Sequence, residues 1–523
     1  MSQIETLTLI LDIGKSHAKL LMVDGAGTVV ERHGRDNASV MSALGYPALD
    51  LGGLGNWITA SLRSSPNTAR CSRVIACTHG AAVAALAGNA PGALSGVAWD
   101  PLDYEFNGYE PVAQAFLLAR EEAHDGFDHT LSPDLPAGLN IARQLYWLQH
   151  SHPQAWSRTC CLVPYAQYWA WWLSGVAASE RSSLGCHTQL WQPQANDFSD
   201  LAKSQGWAAL FAPMRSAWEV LGPVRSALAQ DLGLPATCEV HVGVHDSNAC
   251  LARYLVGQKV AKGVDGTDIA GDTTVAKALT VVSSGTWTVL MAPGAPVANL
   301  QAAKDMLGNV DVLGRATPTA RFMGGREFAA LLDGALPDAG TLADVQTLIA
   351  SRTFAMPSFA RQGGPFMDRE GWVEQDGERL AWPLANSLPP GQRAALAALY
   401  CAQLTAWLVQ RLWRRTGQGG EQGDKGTELH LGVHRVVVEG PLAHNAIYLS
   451  VLQALLPGHQ CQFSTDDMEG TARGAWTLSQ WGKPESGQAG QPFLGAVEVG
   501  ELHGLADYQA QWLAPLAEQV TTK

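Results

Sequence analysis

The sequence predicts an α/β protein built in two halves. Apolar runs of strand length alternate with longer stretches of helical spacing. A strand–turn–strand pattern opens the chain and returns near residue 279, and a glycine-rich segment lies between Arg253 and Ala278, with Gly257, Gly263, Gly266 and Gly271. At 523 residues the chain also exceeds what one hydrophobic core usually serves. The two domains are expected at residues 1–257 and 258–523.

The elements follow in order. Leu7 onward reads as a strand, Gly14-Lys15-Ser16 as a turn, Ala18–Val23 as a second strand, Asp24-Gly25-Ala26-Gly27 as a second turn and Thr28-Val29-Val30 as a third strand: a β-meander. Val74–Cys77 reads as a buried strand and Leu139–Gln149 as a helix. Glu239–Val242 is extended and Ala249–Leu255 is alanine-rich, so Gly243-Val244-His245-Asp246 lies at a strand-to-helix junction. In the second half, strands are expected at Leu279–Ser283 and Thr288–Met291 around the Gly285-Thr286 turn. A long helix follows at Gln392–Arg415, apolar along one face, then a loop at Gly417–Gly426, a valine-rich strand at Arg435–Glu439 and a helix at Ala446–Leu456.

Composition narrows the function. With 46% apolar and 16% charged residues, the chain has ample core material. A formal charge of -13 and the lack of a dense Lys/Arg stripe argue against a nucleic-acid partner. Nine cysteines, with no C-x-x-C pair, read as reduced core thiols. No apolar run reaches the ~20 residues of a spanning helix, and the N-terminus lacks the basic residues of a secretory signal, so a cytoplasmic location is expected. The eighteen tryptophans, three of them at Trp169, Trp171 and Trp172, are read as packing.

Candidate chemistry sits at turns and strand ends. Gly14-Lys15-Ser16 is not a P-loop, because the required earlier glycine is Leu9, inside a strand. It is a tight turn whose backbone N–H groups, with Ser16, Lys15 or Lys19, can meet phosphate oxygens; an ordinary hairpin with exposed lysines is the alternative. Asp12, at a strand end, can hold Mg²⁺ through water or simply form the turn. Asp246, near a helix N-terminus, can serve as a general base or as a plain helix cap. A hydrolytic metal site from His241, His245 and Asp246 is disfavoured, because their spacing suits a helix and the segment reads as strand then loop.

Taken together these residues resemble the FGGY-type carbohydrate kinases. The resemblance rests on Asp12-Ile13-Gly14-Lys15-Ser16 with Lys19, on Gly243 to Asp246, on Ser284-Gly285-Thr286-Trp287, and on Glu439-Gly440 to Asn445, with Gly470-Thr471-Ala472-Arg473-Gly474-Ala475 as a C-terminal helix start. It implies two ribonuclease-H-like (actin/hexokinase-type) domains around a central cleft, sugar held mainly by the first and ATP mainly by the second. It also implies Asp246 as catalytic base and Asp12 as support for Mg²⁺. Gly14, Lys15, Ser16, Lys19, Gly285 and Thr286 fall at the phosphates, and Gly440 and Asn445 at the nucleoside. Lys15 stands where many relatives carry a small hydroxyl residue, and Pro441 and Leu442 replace glycines.

For the sugar, Thr78, His79, Asp103, Tyr104 and His245 match regions that contact sugar in similar kinases, and carboxylates commonly accept hydrogen bonds from sugar hydroxyls. The resemblance leans toward rhamnulose- or fuculose-like ketoses, phosphorylated at a terminal hydroxyl. The expected partners are therefore a small sugar and a nucleotide, with a homodimer as an option and neither nucleic acid nor membrane. A catalytically silent sugar- and nucleotide-binding regulator of the same fold is the competing reading.

Overall fold

In this computed structural model the described residues are 6–88, 94–256, 261–262, 268–269, 278–361, 363–414, 434–482 and 493–517. The four glycines read as an interdomain connection and the loop read at 417–426 lie outside them. The chain divides into two compact units. The first comprises Met1–Asp272, Leu307–Thr317 and Met468–Pro492; the second comprises Thr273–Met306, Pro318–Asp467 and Phe493–Lys523.

The first unit is organised by a sheet whose strands run, in spatial order, Val220–Pro223, Glu239–His241, Cys71–Thr78, Leu7–Ile13, His17–Val23 and Val29–Asp36. Leu7–Ile13, His17–Val23 and Val29–Asp36 form the antiparallel meander, with Asp12 opposite Lys19. Leu7–Ile13 is parallel to Cys71–Thr78, with Asp12 beside Cys77. The short strand Val244–His245 also joins Cys71–Thr78 in parallel, pairing His245 with Thr78.

All seven residues of Leu7–Ile13 are buried, as expected of a central strand covered on both faces. Val29–Asp36 alternates partly buried and exposed residues, the pattern of a half-solvated edge. Beneath the sheet pack helix Leu51–Ser64, capped by Asp50 accepting from Gly53 N at 2.7 Å, and helix Tyr165–Ser174 with the fully buried Trp169. Helix Ile141–Ser151 contributes to a neighbouring aromatic-rich core with Tyr46, Phe116 and Trp207.

The second unit repeats this plan. Leu279–Ser284 pairs antiparallel with Thr288–Met291, which pairs antiparallel with Ala316–Phe322. Leu279–Ser284 is parallel to His434–Glu439, and that strand is parallel to His459–Ser464. An antiparallel strand, Leu494–Ala496, closes the edge, as Val220–Pro223 does in the first unit. Each unit thus has the ribonuclease-H-like order of a meander followed by parallel strands.

The long helix of the second unit spans Pro390–Leu412, with Pro390 at its first turn, where a missing N–H costs nothing. It is buried nearly all round, including Arg393, Gln403 and Thr405, rather than along the single apolar face its leucine spacing suggests. Elements pack on several sides of it, so its alanines serve as contact surface as much as its leucines do. Among the described residues no helix is long and apolar enough to cross a membrane.

Candidate active site

In the first unit three parallel strands end at one level, because register pairs Asp12 with Cys77, Cys77 with Val244, and Thr78 with both Ile13 and His245. Side chains at the carboxyl ends of parallel strands collect on one edge of the sheet, where α/β proteins place their ligands.

Asp12 is almost fully buried there and accepts a hydrogen bond from Thr471 Oγ1 at 3.1 Å. Burial pushes its carboxyl up to about 6, against the pull of Lys19 and Thr471 and with the help of the Glu469 and Asp246 charges. Lys19 donates to Glu469, and Arg32 lies 3.6 Å from the same carboxylate.

Asp246 opens helix Asp246–Ala252. Its Oδ1 accepts from Ser247 N at 2.5 Å and from Ser247 Oγ at 3.2 Å, and lies 3.1 Å from His245 Nε2. With Oδ1 so occupied, Oδ2 is the oxygen free to take a proton, and the side chain remains 31% exposed. The ring of His245 is also fixed by Asn248, whose Nδ2 lies 3.2 Å from His245 Nδ1. Burial opposes a charge on His245, but Cys186, Asp246 and Glu180 outweigh it and raise its pKa to about 9.

Two glycines let these parts approach. A Cβ on Gly243, whose φ is +88°, would fall 2.7 Å from the Ala76 carbonyl. One on Gly474 would fall 1.7 Å from the Ala249 carbonyl, so helix Gly470–Ser479 can rest on the Asp246 helix only because position 474 has no side chain.

Beside this group lies a second polar cluster. Asp103, buried, receives hydrogen bonds from Lys15 and Ser39 on Oδ2 and from Glu105 N on Oδ1 at 2.9 Å. Burial works against the Asp103 charge, yet Lys15 and Ser39 hold its carboxyl below the usual range. The Lys15 ammonium sits 5.4 Å from the centre of the Tyr104 ring. His79 packs edge-on to Tyr104 at 5.6 Å and against Tyr165 at 5.1 Å, with Nδ1 on the Gly80 carbonyl at 2.8 Å. Burial lowers the His79 pKa, so the ring is neutral near pH 7. Thr78 is buried, its hydroxyl donating to the His79 carbonyl at 3.1 Å. Gly14 N bonds the His17 carbonyl at 2.9 Å and closes the turn that leaves Ser16 exposed.

In the second unit the corresponding strand ends carry small residues. Gly285 and Thr286 are exposed on the turn between Leu279–Ser284 and Thr288–Met291. Gly325, at the start of helix Gly324–Leu332, donates to the Thr286 carbonyl at 3.3 Å, and a Cβ there would lie 2.5 Å from the Gly285 carbonyl. The Ser284 hydroxyl donates to the Glu439 carbonyl at 2.5 Å and accepts from Leu442 N at 2.9 Å. Gly440 has φ +77°, and a Cβ on it would come within 2.0 Å of the Ser284 carbonyl. Asn445 caps helix Ala446–Leu455 by accepting from Tyr448 N at 2.8 Å. Trp287 packs under the Arg321 guanidinium at 4.6 Å, and Arg321 pairs with the buried Asp305.

The carboxyl-terminal domain model of the FGGY carbohydrate kinases matches residues 276–419. Across its whole length the chain is similar to the crystal structure of a carbohydrate kinase from Novosphingobium aromaticivorans, at 31% identity, with 98% of each chain covered and a TM-score of 0.74. The chain is an FGGY-family carbohydrate kinase. It is therefore an enzyme, one that transfers a phosphoryl group from ATP to a sugar hydroxyl. The fold is shared more widely, with xylulose kinase from Lactobacillus acidophilus (12% identity, TM-score 0.71, covering 98% of this chain and 96% of that one) and with Plasmodium falciparum glycerol kinase bound to ADP (11%, TM-score 0.69, 100% of each). A search of curated proteins finds no match.

This kinase brings Thr78, His79, Asp103, Tyr104, His245 and Asp246 into the first unit together with Asp12, Lys15 and Lys19, and brings Gly285, Thr286, Gly440 and Asn445 into the second. Sequence reading missed Glu469 and Ser39. Glu469 immediately precedes the Gly470 helix start and meets Lys19 across 450 positions, a pairing no local pattern signals. Among the described residues no three His, Cys, Asp or Glu side chains form a metal-binding group. Mg²⁺ does not need one, since it takes one or two carboxylates with waters and phosphate oxygens, and the strand-end carboxylate of Asp12 is a fitting donor.

Proposed function

We propose that this kinase phosphorylates the terminal hydroxyl of a small ketose, rhamnulose- or fuculose-like, with Asp246 as general base and Mg²⁺-ATP as donor. The observation that carries the reading is the placement of Asp12 and Asp246 at the carboxyl ends of Leu7–Ile13 and Val244–His245, the two parallel strands that flank Cys71–Thr78, with the His79, Asp103 and Tyr104 cluster alongside.

Asp246 Oδ2 takes the hydroxyl proton, while His245 and Ser247 keep Oδ1 occupied and the carboxylate oriented. The freed oxygen attacks the γ-phosphorus in line as the bond from phosphorus to the β,γ-bridging oxygen breaks and ADP leaves, and the reaction then depends on positioning and charge neutralisation. Asp12 would hold Mg²⁺ through its carboxylate, and the ion would supply positive charge at the phosphates. Gly14, Ser16 and Lys19 in the first unit, and Gly285 and Thr286 in the second, offer N–H, hydroxyl and ammonium donors to phosphate oxygens. Gly440 and Asn445 are assigned to the nucleoside, and Gly440 must lack a side chain because a Cβ there would meet the Ser284 carbonyl.

The test is ADP release with Mg²⁺-ATP across a panel of ketoses, aldoses and polyols, run for the native protein and for Asp246→Asn. One strong ketose is expected, and the variant should lose about 10³-fold in kcat with its melting temperature unchanged. Release that persists in the variant removes Asp246 as the base. A preference for aldoses or polyols overturns the ketose assignment.

A further inference from the structure

The two lysines of the first turn face different groups. Lys19 points to Glu469 and is the cation that acts on Asp12. Lys15, four residues earlier, reaches the buried Asp103 instead, with Ser39 Oγ at 3.2 Å, the Tyr104 ring at 5.4 Å and Glu105 at 4.0 Å. His79 packs edge-on to Tyr104 at 5.6 Å, and Thr78 just before it pairs with His245, the neighbour of Asp246. The Lys15 ammonium therefore stands on the side of the site that carries His79, Tyr104 and Asp103, away from the Asp12 and Glu469 group.

We infer that Lys15 is a substrate-specificity residue, paired with Asp103 to grip neighbouring hydroxyls of a neutral sugar and to disfavour sugar acids. This rests on the kinase reading above and narrows its substrate class. A Lys–Asp pair offers one donor cluster beside one acceptor cluster, which suits adjacent hydroxyl groups that must both give and take hydrogen bonds. It does not suit a carboxylate. Asp103 already neutralises Lys15, and Glu105 lies 4.0 Å from the same ammonium, so Lys15 brings no uncompensated charge to an anionic ligand. The Tyr104 and His79 rings give the apolar wall against which a sugar ring or chain can lie.

The experiment uses the full chain as Lys15→Met, Lys15→Arg and Asp103→Asn. It reads sugar KM and kcat over neutral ketoses, polyols and gluconate, and Mg²⁺-ADP affinity without sugar by titration calorimetry. Lys15→Met is expected to raise the KM of the preferred neutral sugar at least tenfold and to leave ADP affinity within twofold, with Lys15→Arg recovering part of the loss. Asp103→Asn, which frees the Lys15 charge, is expected to raise activity on gluconate relative to the neutral sugar at least tenfold.

A tenfold loss of ADP affinity in Lys15→Met with sugar KM unchanged makes Lys15 a phosphate ligand and overturns the inference. So does a variant unchanged in both. If Asp103→Asn does not fold, the neutral-over-acid claim is read from the native enzyme, and gluconate turnover matching the best neutral sugar overturns it. If the native protein phosphorylates nothing in the panel, the ketose reading fails separately. The Lys15 assignment is then judged by ADP affinity and by whether panel sugars raise the melting temperature of the native protein but not of Lys15→Met.

Discussion

In the first unit the strand Leu7–Ile13 runs into Asp12 and the Gly14 turn, and the parallel strand beside it delivers Thr78 and His79; in the second the strand Leu279–Ser284 runs into Ser284 and the Gly285 turn, and its parallel neighbour delivers Glu439 and Gly440. The strand order and senses match, yet the strand ends differ in kind. The first unit gathers carboxylates, imidazoles and lysines, with Asp12 driven up by burial and His245 driven up by the groups around it. The second gathers glycines and hydroxyls whose side chains and carbonyls bond one another. On the proposed reading, one scaffold supports two tasks. Proton transfer needs ionisable groups whose pKa values are pushed apart, and holding a polyanion needs bare backbone and small donors.

Glycine substitutions test this contrast most sharply. Gly474→Ala puts a Cβ 1.7 Å from the Ala249 carbonyl, so the helix carrying Asp246 or its neighbour must move. A shift of about 1 Å at a catalytic group costs roughly 100-fold in rate, so kcat should fall by that order while Mg²⁺-ADP affinity stays within about threefold. Gly440→Ala meets the Ser284 carbonyl at 2.0 Å and forces φ +77° on a residue with a side chain. It should weaken ADP binding by about tenfold, or 1.4 kcal/mol, and spare the sugar-induced rise in melting temperature. If either variant loses both properties equally, the division of labour breaks.

Ionisation gives the next contrast. Because burial holds the Asp12 carboxyl up at about 6, kcat/KM for Mg²⁺-ATP, which reports the free enzyme, should fall as pH drops through 6, when the group protonates and loses its pull on a cation. The same shift means the folded state binds this proton more tightly than the unfolded chain does. The charged form therefore costs stability above about pH 6, and the cost disappears as pH falls toward 4. Asp12→Asn should abolish the acid limb with most of the activity, and stabilise the protein by about 1–3 kcal/mol at pH 7.5. Melting curves across pH 4–8 read this gain, which should shrink at the acid end.

The smallest expected effect is the counterpart in the second unit. Ser284→Ala removes the buried hydroxyl that bridges the Glu439 carbonyl and the Leu442 N–H, at about 1–3 kcal/mol, with a pH-independent drop in melting temperature. A pH-dependent loss there would show that the two strand ends are less distinct than their chemistry suggests.

Much of this was legible in the chain itself. The meander at Leu7, the strand at Leu279 and the helix at Ala446 announce themselves because alternation, glycine turns and caps act within a few residues. Asp12, Asp246, Gly285 and Gly440 stand out for the same reason, each at the point where an apolar run breaks on a residue of distinct chemistry. The long helix at Pro390 was legible in extent but not in burial, since spacing shows which face is most apolar and not how many neighbours arrive. The pairing of Lys19 with Glu469, the hydroxyl of Thr471 on Asp12, and the direction taken by Lys15 were decided only by tertiary structure. Those contacts join positions from 88 to 459 residues apart. A side chain as long as lysine finds its partner by where the sheet edge, loop and returning helix meet in space, and local sequence carries no record of that meeting.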